Sequence, residues 1–379
     1  MRGKLYVIVD RTALVYMNVK SLVGKGFHDE AGELYVTSKQ DGKVRKIVTS
    51  PESRNSQSKV QPEVSTAVGT ITPTVYDGRT AFRLSDSRTE AIVVPEIGRV
   101  MRYGFVGGSN FLWNSPQKIY GKNEWKNWGG DKTWPAPQQW WPAIAGRNWP
   151  PDPAWDGNPH RANILPNNHL QMTSEVAQGF AARVVREFWF EQNGDFAIAQ
   201  TVEKVKGEPL LLSIWNVTQI ESPDAIFLPL NRESIYKNNF HWLVPPEDES
   251  PIVQMTPTLL QMRPSVGVSA KKIYKLGADT SVVGVAAVKD GVAMMEKATR
   301  QDGEYPDGAV GGGGFPVEVY NNGDAKEKYV ELELLSPLHL FKKGDRYQHT
   351  VRWSLHQLLS SDVNAMTTRD AIEKLLKGK

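Results

Sequence analysis

Two glutamates separated by one residue, Glu331 and Glu333, have the spacing in this sequence that best suits proton transfer. In a β-strand, alternation places both carboxyl groups on one face, with Cα atoms roughly 6.5–7 Å apart. The other face then carries Val330, Leu332 and Leu334. Such a pair suits a general base with a helper, or an acid and a base of the glycosidase kind. The alternative is the solvated outer face of an edge strand.

A histidine would be a natural second proton-transfer group, and seven are present. His160 closes a stretch rich in tryptophan and is the candidate for that role, whereas His241, beside Trp242, is a candidate ligand contact. For each histidine the alternative is an ordinary core or surface side chain. None has metal-ligand spacing, and without cysteine there is no thiol nucleophile or thiolate site. We therefore expect no metal ion and no cofactor.

Eight of the 12 tryptophans lie between Trp113 and Trp155, and the densest part, residues 125–160, is called the Trp-rich segment below. Its prolines are unlike a helix or a central strand, so we expect mostly loop. Flat rings beside charged and amide groups suit a sugar, although the rings could instead cap an open end of the core. The candidate ligand-binding residues are Arg99, Trp128, Asp131, Lys132, Trp134, Gln138, Trp140, Trp149, Asp156 and His241.

Bulk composition restricts the partners. The chain has 379 residues, 40% hydrophobic and 23% charged, with a net charge of +3, which does not favour nucleic acid. No apolar run is long enough for a transmembrane helix, so no integral membrane association is expected. The basic start and the apolar residues 5–9 indicate either a degenerate signal peptide or a terminal strand. The compartment, cytoplasmic or periplasmic and secreted, stays open, as does the oligomeric state.

From about residue 68, short alternating runs are separated by glycine, proline and asparagine turns. They predict an all-β fold, a large antiparallel sandwich with long Trp/Pro-rich loops and a short C-terminal helix at residues 368–377. Thr367 or Thr368 would be the N-cap of that helix. The expected organisation is an extension with a polar linker at 1–66, the sandwich at 67–360 and a helical tail at 361–379.

Three segments occur in a characteristic order. They are Gly98-Arg99-Val100 leading to Asn110-Phe-Leu-Trp113, the middle-strand element Asn216-Val-Thr218, and the acid-bearing run Tyr329-Val-Glu331-Leu-Glu333. This order resembles that of the galactose mutarotase-like, or aldose 1-epimerase-like, supersandwich proteins, over roughly residues 68 to 358.

More specific motifs lie in the Trp-rich segment. Trp128-Gly-Gly-Asp-Lys132, Trp134-Pro-Ala-Pro-Gln138 and Trp149-Pro-Pro-Asp-Pro-Ala-Trp-Asp-Gly157 resemble a bacterial branch, the DUF4380-type proteins. The resemblance to mutarotases implies a sugar on a concave sheet, with Glu331 as the first catalytic carboxylate and Glu333 as the second. The tryptophans would wall the ligand, and Arg99 and the polar candidates would reach its hydroxyl groups.

One departure from the mutarotase pattern bears on activity. Those proteins carry a histidine acid shortly after the Asn-x-Thr strand, whereas here no histidine follows Thr218 until His241. Ring-opening of a hemiacetal needs a proton donor as well as a base. Three functions therefore stay open: a carbohydrate-modifying, epimerase-like enzyme; a non-catalytic glycan-binding or accessory module; and a polysaccharide lyase or glycoside hydrolase with a longer groove.

Overall fold

The computed structural model describes residues 67–115, 125–246, 252–264, 273–308, 313–323 and 327–378, together with five short strands between residues 4 and 47. The chain forms two compact units, Met1–Ser65 and Thr66–Lys379. In the first unit β1 (Lys4–Val9) pairs with β2 (Ala13–Asn18), and β3 (Phe27–His28), β4 (Leu34–Thr37) and β5 (Val44–Ile47) form a second sheet. The apolar residues 5–9 thus lie in a strand, and all five strands lie within the predicted N-terminal extension.

The described part of the second unit consists mainly of antiparallel strands. They are β6 (Thr70–Tyr76), β7 (Arg79–Ser85), β8 (Thr89–Val94), β9 (Arg99–Phe105), β10 (Asp131–Ala136), β11 (Arg161–Ile164), β12 (Leu170–Thr173), β13 (Ala182–Phe190), β14 (Phe196–Lys204), β15 (Leu210–Glu221), β16 (Ala225–Pro229), β17 (Phe240–Val244), β18 (Val253–Met255), β19 (Leu259–Met262), β20 (Tyr274–Ala278), β21 (Gly284–Lys289), β22 (Val292–Ala298), β23 (Val317–Asn321), β24 (Tyr329–Leu335), β25 (His339–Phe341) and β26 (Arg346–Gln357).

These strands form two large sheets, which confirms the predicted all-β sandwich. The 11-stranded sheet has the order β17-β20-β23-β24-β15-β10-β9-β8-β7-β6, and β25 also pairs with β15. The 10-stranded sheet has the order β11-β12-β13-β14-β26-β22-β21-β16-β19-β18. The main hydrophobic core draws residues from both sheets, such as Leu332 of β24 and Trp353 of β26.

Helices are short in the described residues. α1 (Trp141–Ala145) follows a 3-10 turn at Gln138–Trp140, and another 3-10 turn occupies Pro95–Ile97. The C-terminal helix α2 (Met366–Lys377) is confirmed, but the predicted N-cap was wrong, because Ala365 occupies that position. Thr368 instead lies inside the first turn and is buried.

The Trp-rich segment is mostly loop, as predicted, but it also contains the strand β10, which pairs with β15 over its whole length. Pro135 is tolerated because β9 pairs with β10 only at Asp131 and Val100, so β10 has a single partner strand at the proline. A residue without an N–H can occupy a strand where no ladder bond is lost.

The interior between the sheets contains a buried polar network. Asp131 of β10 forms an ion pair with Arg186 of β13 and so connects the two sheets. Asn216 and Thr218 donate hydrogen bonds to the same carboxylate. Glu296 is completely buried nearby, and its pKa lies well above the usual value because burial disfavours the charged form and Asp131 repels it.

Glu296 should make the fold less stable as pH rises. A carboxyl group whose folded pKa is raised stays protonated in the folded chain while the unfolded chain ionises, so stability falls above the unfolded pKa of about 4.5. We expect Glu296→Gln to remove a slope of up to about 1.4 kcal/mol per pH unit. Urea unfolding from pH 4 to pH 9 measures it, with exposed Glu233→Gln as the control. Equal slopes in wild type and Glu296→Gln would show that Glu296 ionises freely in the fold.

Candidate functional site

The central strands of the 11-stranded sheet carry polar groups on both faces. Lys132 and Asp131 are successive residues of β10, so Lys132 lies on the face opposite the interior network, which we call the outer face. The register aligns Lys132 with Val217 and Val217 with Glu333. The outer-face cluster consists of Lys132, Trp134, Trp215, Gln219, Lys275, Glu318, Tyr320, Glu331 and Glu333.

Glu331 and Glu333 share the outer face as predicted, while Val330, Leu332 and Leu334 belong to the core. The edge-strand alternative was wrong, because β24 lies between β23 and β15. Both glutamates are buried. A buried carboxyl group needs polar partners, and the surrounding strands supply them.

The first charged group of the cluster joins Lys132, Glu331 and Gln219. Lys132 Nζ lies 3.2 Å from Glu331 Oε1, and Gln219 Nε2 donates a hydrogen bond of 2.9 Å to the same oxygen. The ammonium also lies 4.7 Å from the centre of the Trp134 ring. Burial lowers the pKa of Lys132 to about 8, although Glu331 opposes this shift. Lys132 therefore loses its proton at a lower pH than an ordinary lysine does.

The second charged group joins Lys275 to two carboxyl groups. Lys275 Nζ lies 2.6 Å from Glu318 and 2.9 Å from Glu333. Trp215 Nε1 donates a 2.7 Å hydrogen bond to Glu333, and the Trp215 ring faces Lys275 at 4.6 Å. Burial raises the pKa of Glu333 and of Glu318 despite the neighbouring ammonium. A carboxyl group that holds its proton can donate a hydrogen bond as well as accept one.

Aromatic rings connect this cluster to the surface. Trp134 is buried and packs edge-on against Trp215 at 5.4 Å. Trp149 packs against Trp134 at 5.6 Å and against Trp125 at 4.8 Å, yet it is 49% exposed. The Trp-rich segment thus presents one open ring at the outer end of a row of buried rings.

A buried ion pair between Arg99 of β9 and Asp156 fastens the Trp-rich segment to the sheet. Arg99 also donates a 2.7 Å hydrogen bond to the carbonyl of Gly129, and Trp125 Nε1 donates one of 3.1 Å to Asp156. Both charges act on the pKa of Lys132, in opposite directions. Both side chains are fully buried, and they influence the site through the effect of their charges on the pKa of Lys132.

His160 is buried against the backbone at the end of the Trp-rich segment. Its Nδ1 lies 3.0 Å from the carbonyl of Asn158. Its ring fills the space beside Gly98, where a Cβ atom would come within 2.5 Å of it. Burial lowers the pKa of His160 to about 4, so the ring is neutral at physiological pH.

The other predicted ligand contacts lie in different surroundings. Asp131 faces the interior, where it is bonded to Arg186. Trp128 stacks beneath Arg79 at 4.6 Å, next to Lys126. Gln138 is exposed and Trp140 half-buried in the 3-10 turn, and His241 lies on β17 with its ring 6.3 Å from Tyr236. Of the predicted residues, the structure brings Lys132, Trp134, Glu331 and Glu333 together, with Trp149 attached through Trp134.

Sequence reasoning missed Gln219, Lys275, Glu318 and Trp215. Glu318 alternates with Val317 and Val319 as Glu331 does with its neighbours, and that pattern was a usable signal. Nothing local indicated that Lys275 would pair with it, because the contact depends on the register of β20 with β23. A further contact joins Gln139 Nε2 to Asp307 at 2.8 Å and connects the Trp-rich segment to the turn before β23.

Within the ranges that the structure describes, no helix is long and apolar enough to cross a membrane. In the same ranges, no three histidine, aspartate or glutamate side chains are grouped so that they could hold a metal ion.

Comparison with known proteins gives similarity of backbone alone. No family model matches the chain, so the DUF4380-type resemblance stays a prediction, and no curated protein matches in sequence. A galactose mutarotase-like protein from Clostridium acetobutylicum is similar with a TM-score of 0.49 and 10% identity, over 76% of this chain and 99% of that chain. A galactose mutarotase related enzyme from Lactobacillus acidophilus gives 0.47 and 9%, over 74% and 99%. A galactose mutarotase-like protein from Lactobacillus casei gives 0.45 and 8%, over 73% and 100%.

Two tryptophan substitutions should separate core from surface. Trp134→Ala removes a ring that is buried among three others, and we expect it to lower the free energy of unfolding by about 3–5 kcal/mol. Trp149→Ala removes a half-exposed ring and should cost roughly 1 kcal/mol, the value of an aromatic pair. Urea unfolding measures both. Equal losses would mean that Trp149 belongs to the core and is not available to a ligand.

Proposed function

We propose that this protein binds a carbohydrate on the outer face of the 11-stranded sheet and that Glu331 accepts a proton from it in an aldose epimerase-like reaction. One observation carries the proposal. Glu331 is a buried carboxylate held by Lys132 and Gln219, and Lys132 also lies against Trp134, which packs on the exposed Trp149.

The mixture of groups matches the chemistry of a sugar. A pyranose has apolar C–H faces that pack on aromatic rings, and Trp149 offers such a ring at the surface. Its hydroxyl edges need donors and acceptors at fixed positions, which Glu331, Gln219 and Lys275 provide. The absence of a strongly basic net charge also fits a neutral ligand better than a polyanion.

The surroundings of Glu331 suit general-base catalysis. Two donors fix its Oε1, which leaves Oε2 to accept a proton, and 9% of the side chain remains exposed. Opening a hemiacetal ring begins with loss of the proton from the anomeric hydroxyl, and a positioned carboxylate accelerates that step. Closure of the ring from the other face of the aldehyde then gives the second anomer.

A second candidate function is glycan binding without catalysis. Among the described residues, the hydrogen-bond partners of Glu331 are Lys132 and Gln219, neither of which is a histidine. His160 is bonded to the carbonyl of Asn158 beside Gly98, and its low pKa keeps the ring neutral, so the imidazolium form that acts as an acid is absent at neutral pH. A protein that only binds sugar needs no acid, so this arrangement favours the second candidate.

Glu331→Gln tests the catalytic proposal. The variant keeps the size and hydrogen bonding of the side chain but cannot accept the proton, so we expect kcat for anomer interconversion to fall by about 100-fold or more. Sugar affinity should stay within a few-fold of wild type. Polarimetry with freshly dissolved α-D-glucose and α-D-galactose measures the rate. The control is Glu221→Gln, an exposed glutamate of the neighbouring β15. Full activity in Glu331→Gln would remove the proposed base.

Trp149→Ala tests the binding proposal. Loss of the exposed ring removes the stacking surface, and we expect the dissociation constant for the bound sugar to rise about 10-fold. The matched control is Trp128→Ala, whose ring stacks beneath Arg79 outside the row of tryptophans. Calorimetric titration with mono- and oligosaccharides gives both values. If no saccharide binds wild type, the carbohydrate proposal fails. If sugars bind and no aldose is interconverted, the second candidate is the function.

A further inference from the structure

We propose that Lys132 is the proton donor that works with Glu331, delivering a proton to the ring oxygen of the sugar. This inference rests on the proposed catalytic function. Lys132 would take the place of the histidine that acts as the acid in the mutarotases, the family that this sequence resembles. The first support is position: Lys132 Nζ and Glu331 Oε1 are 3.2 Å apart, side by side on β10 and β24 with β15 between them.

Their side-by-side arrangement fits the hemiacetal group. The anomeric hydroxyl and the ring oxygen are attached to the same carbon atom, so a base for one and an acid for the other must be neighbours. An ammonium beside a carboxylate meets that requirement in a single pair. The ligand would enter on the Glu331 side, because that side chain keeps 9% exposure and Lys132 keeps none.

The proton transfers balance without any further reactant. Glu331 takes the proton of the anomeric hydroxyl, the bond between the anomeric carbon and the ring oxygen breaks, and its electron pair stays on the ring oxygen. Lys132 gives that oxygen a proton and becomes a neutral amine. The products are an open-chain aldehyde and a neutral carboxylic acid. Ring closure on the other face of the aldehyde returns both protons.

The surroundings of Lys132 lower the free energy needed to form its neutral amine. Charged groups reach it from three elements: Glu331 from β24, Arg99 from β9 and Asp156 from the Trp-rich segment. Burial outweighs the attraction of the two carboxylates and lowers the pKa of Lys132 to about 8. An acid is most effective when its pKa is close to the working pH, and tuned catalytic lysines fall near this value. The rate should therefore fall as pH rises through about 8.

The deciding experiment compares Lys132→Arg with wild type. Arginine keeps the positive charge and the ion pair with Glu331 but does not release its proton in this pH range. If Lys132 only positions or neutralises Glu331, Lys132→Arg should keep most of the activity. If it donates the proton, kcat should fall about 100-fold, the alkaline limb near pH 8 should disappear, and calorimetric sugar affinity should stay within a few-fold.

Two controls separate this role from folding and from other lysine chemistry. Lys204→Arg changes another buried lysine, which lies on β14 of the 10-stranded sheet and donates a hydrogen bond to the carbonyl of Phe180. This variant should leave the rate unchanged. Borohydride added during turnover should give no mass increase on Lys132, because an amine that only transfers a proton forms no imine with the aldehyde. A trapped adduct would show that the amine attacks the aldehyde as a nucleophile.

The outcomes distinguish this inference from the function beneath it. If wild type is active and the Lys132→Arg variant is active too, the acid role is overturned and the epimerase proposal stands. A borohydride adduct on Lys132 of the active wild type has the same consequence. Inactive wild type that still binds sugar overturns both the acid role and the catalytic proposal, while binding survives. An active wild type with an inactive, folded and sugar-binding Lys132→Arg variant supports the inference.

Discussion

A charged side chain inside a protein must have a partner, and this constraint shapes both faces of the central strands. In β10, two successive residues take opposite directions: Asp131 pairs with Arg186 between the sheets, and Lys132 pairs with Glu331 on the outer face. Each pair needs its own partner strand. The strand order β24-β15-β10 brings Lys132 and Glu331 together, and the packing of β10 against β13 of the other sheet brings Asp131 and Arg186 together.

The two charged groups of the outer face differ in how burial acts on them. Lys132 has one carboxylate within contact distance, and burial dominates, so its pKa falls to about 8. Lys275 has two, Glu318 and Glu333, whose attraction outweighs burial and raises the pKa of Lys275, while burial raises the pKa of both carboxyl groups. The same physical cause thus yields a lysine that readily releases a proton and carboxyl groups that retain one.

The Trp-rich segment depends on this electrostatic arrangement for its position. The Arg99–Asp156 pair is fully buried and connects the segment to β9, while Trp134 within β10 anchors the row of rings. Trp149 can therefore remain half-exposed without being loose, since it packs on Trp125 and Trp134. A fixed, exposed ring loses little conformational freedom when a ligand stacks on it.

The sequence by itself determined the all-β class, the shared face of Glu331 and Glu333, and the concentration of tryptophan near Lys132, because alternation and composition are local properties. It did not determine that Asp131 faces the interior while Lys132 meets Glu331, since 199 residues separate that second pair and only strand register joins them. It also predicted a loop where β10 forms, because the tolerance of Pro135 depends on where β9 ends its pairing. Tertiary structure decided these points, because a pairing partner in a sheet is chosen by topology and not by the neighbouring residues of the chain.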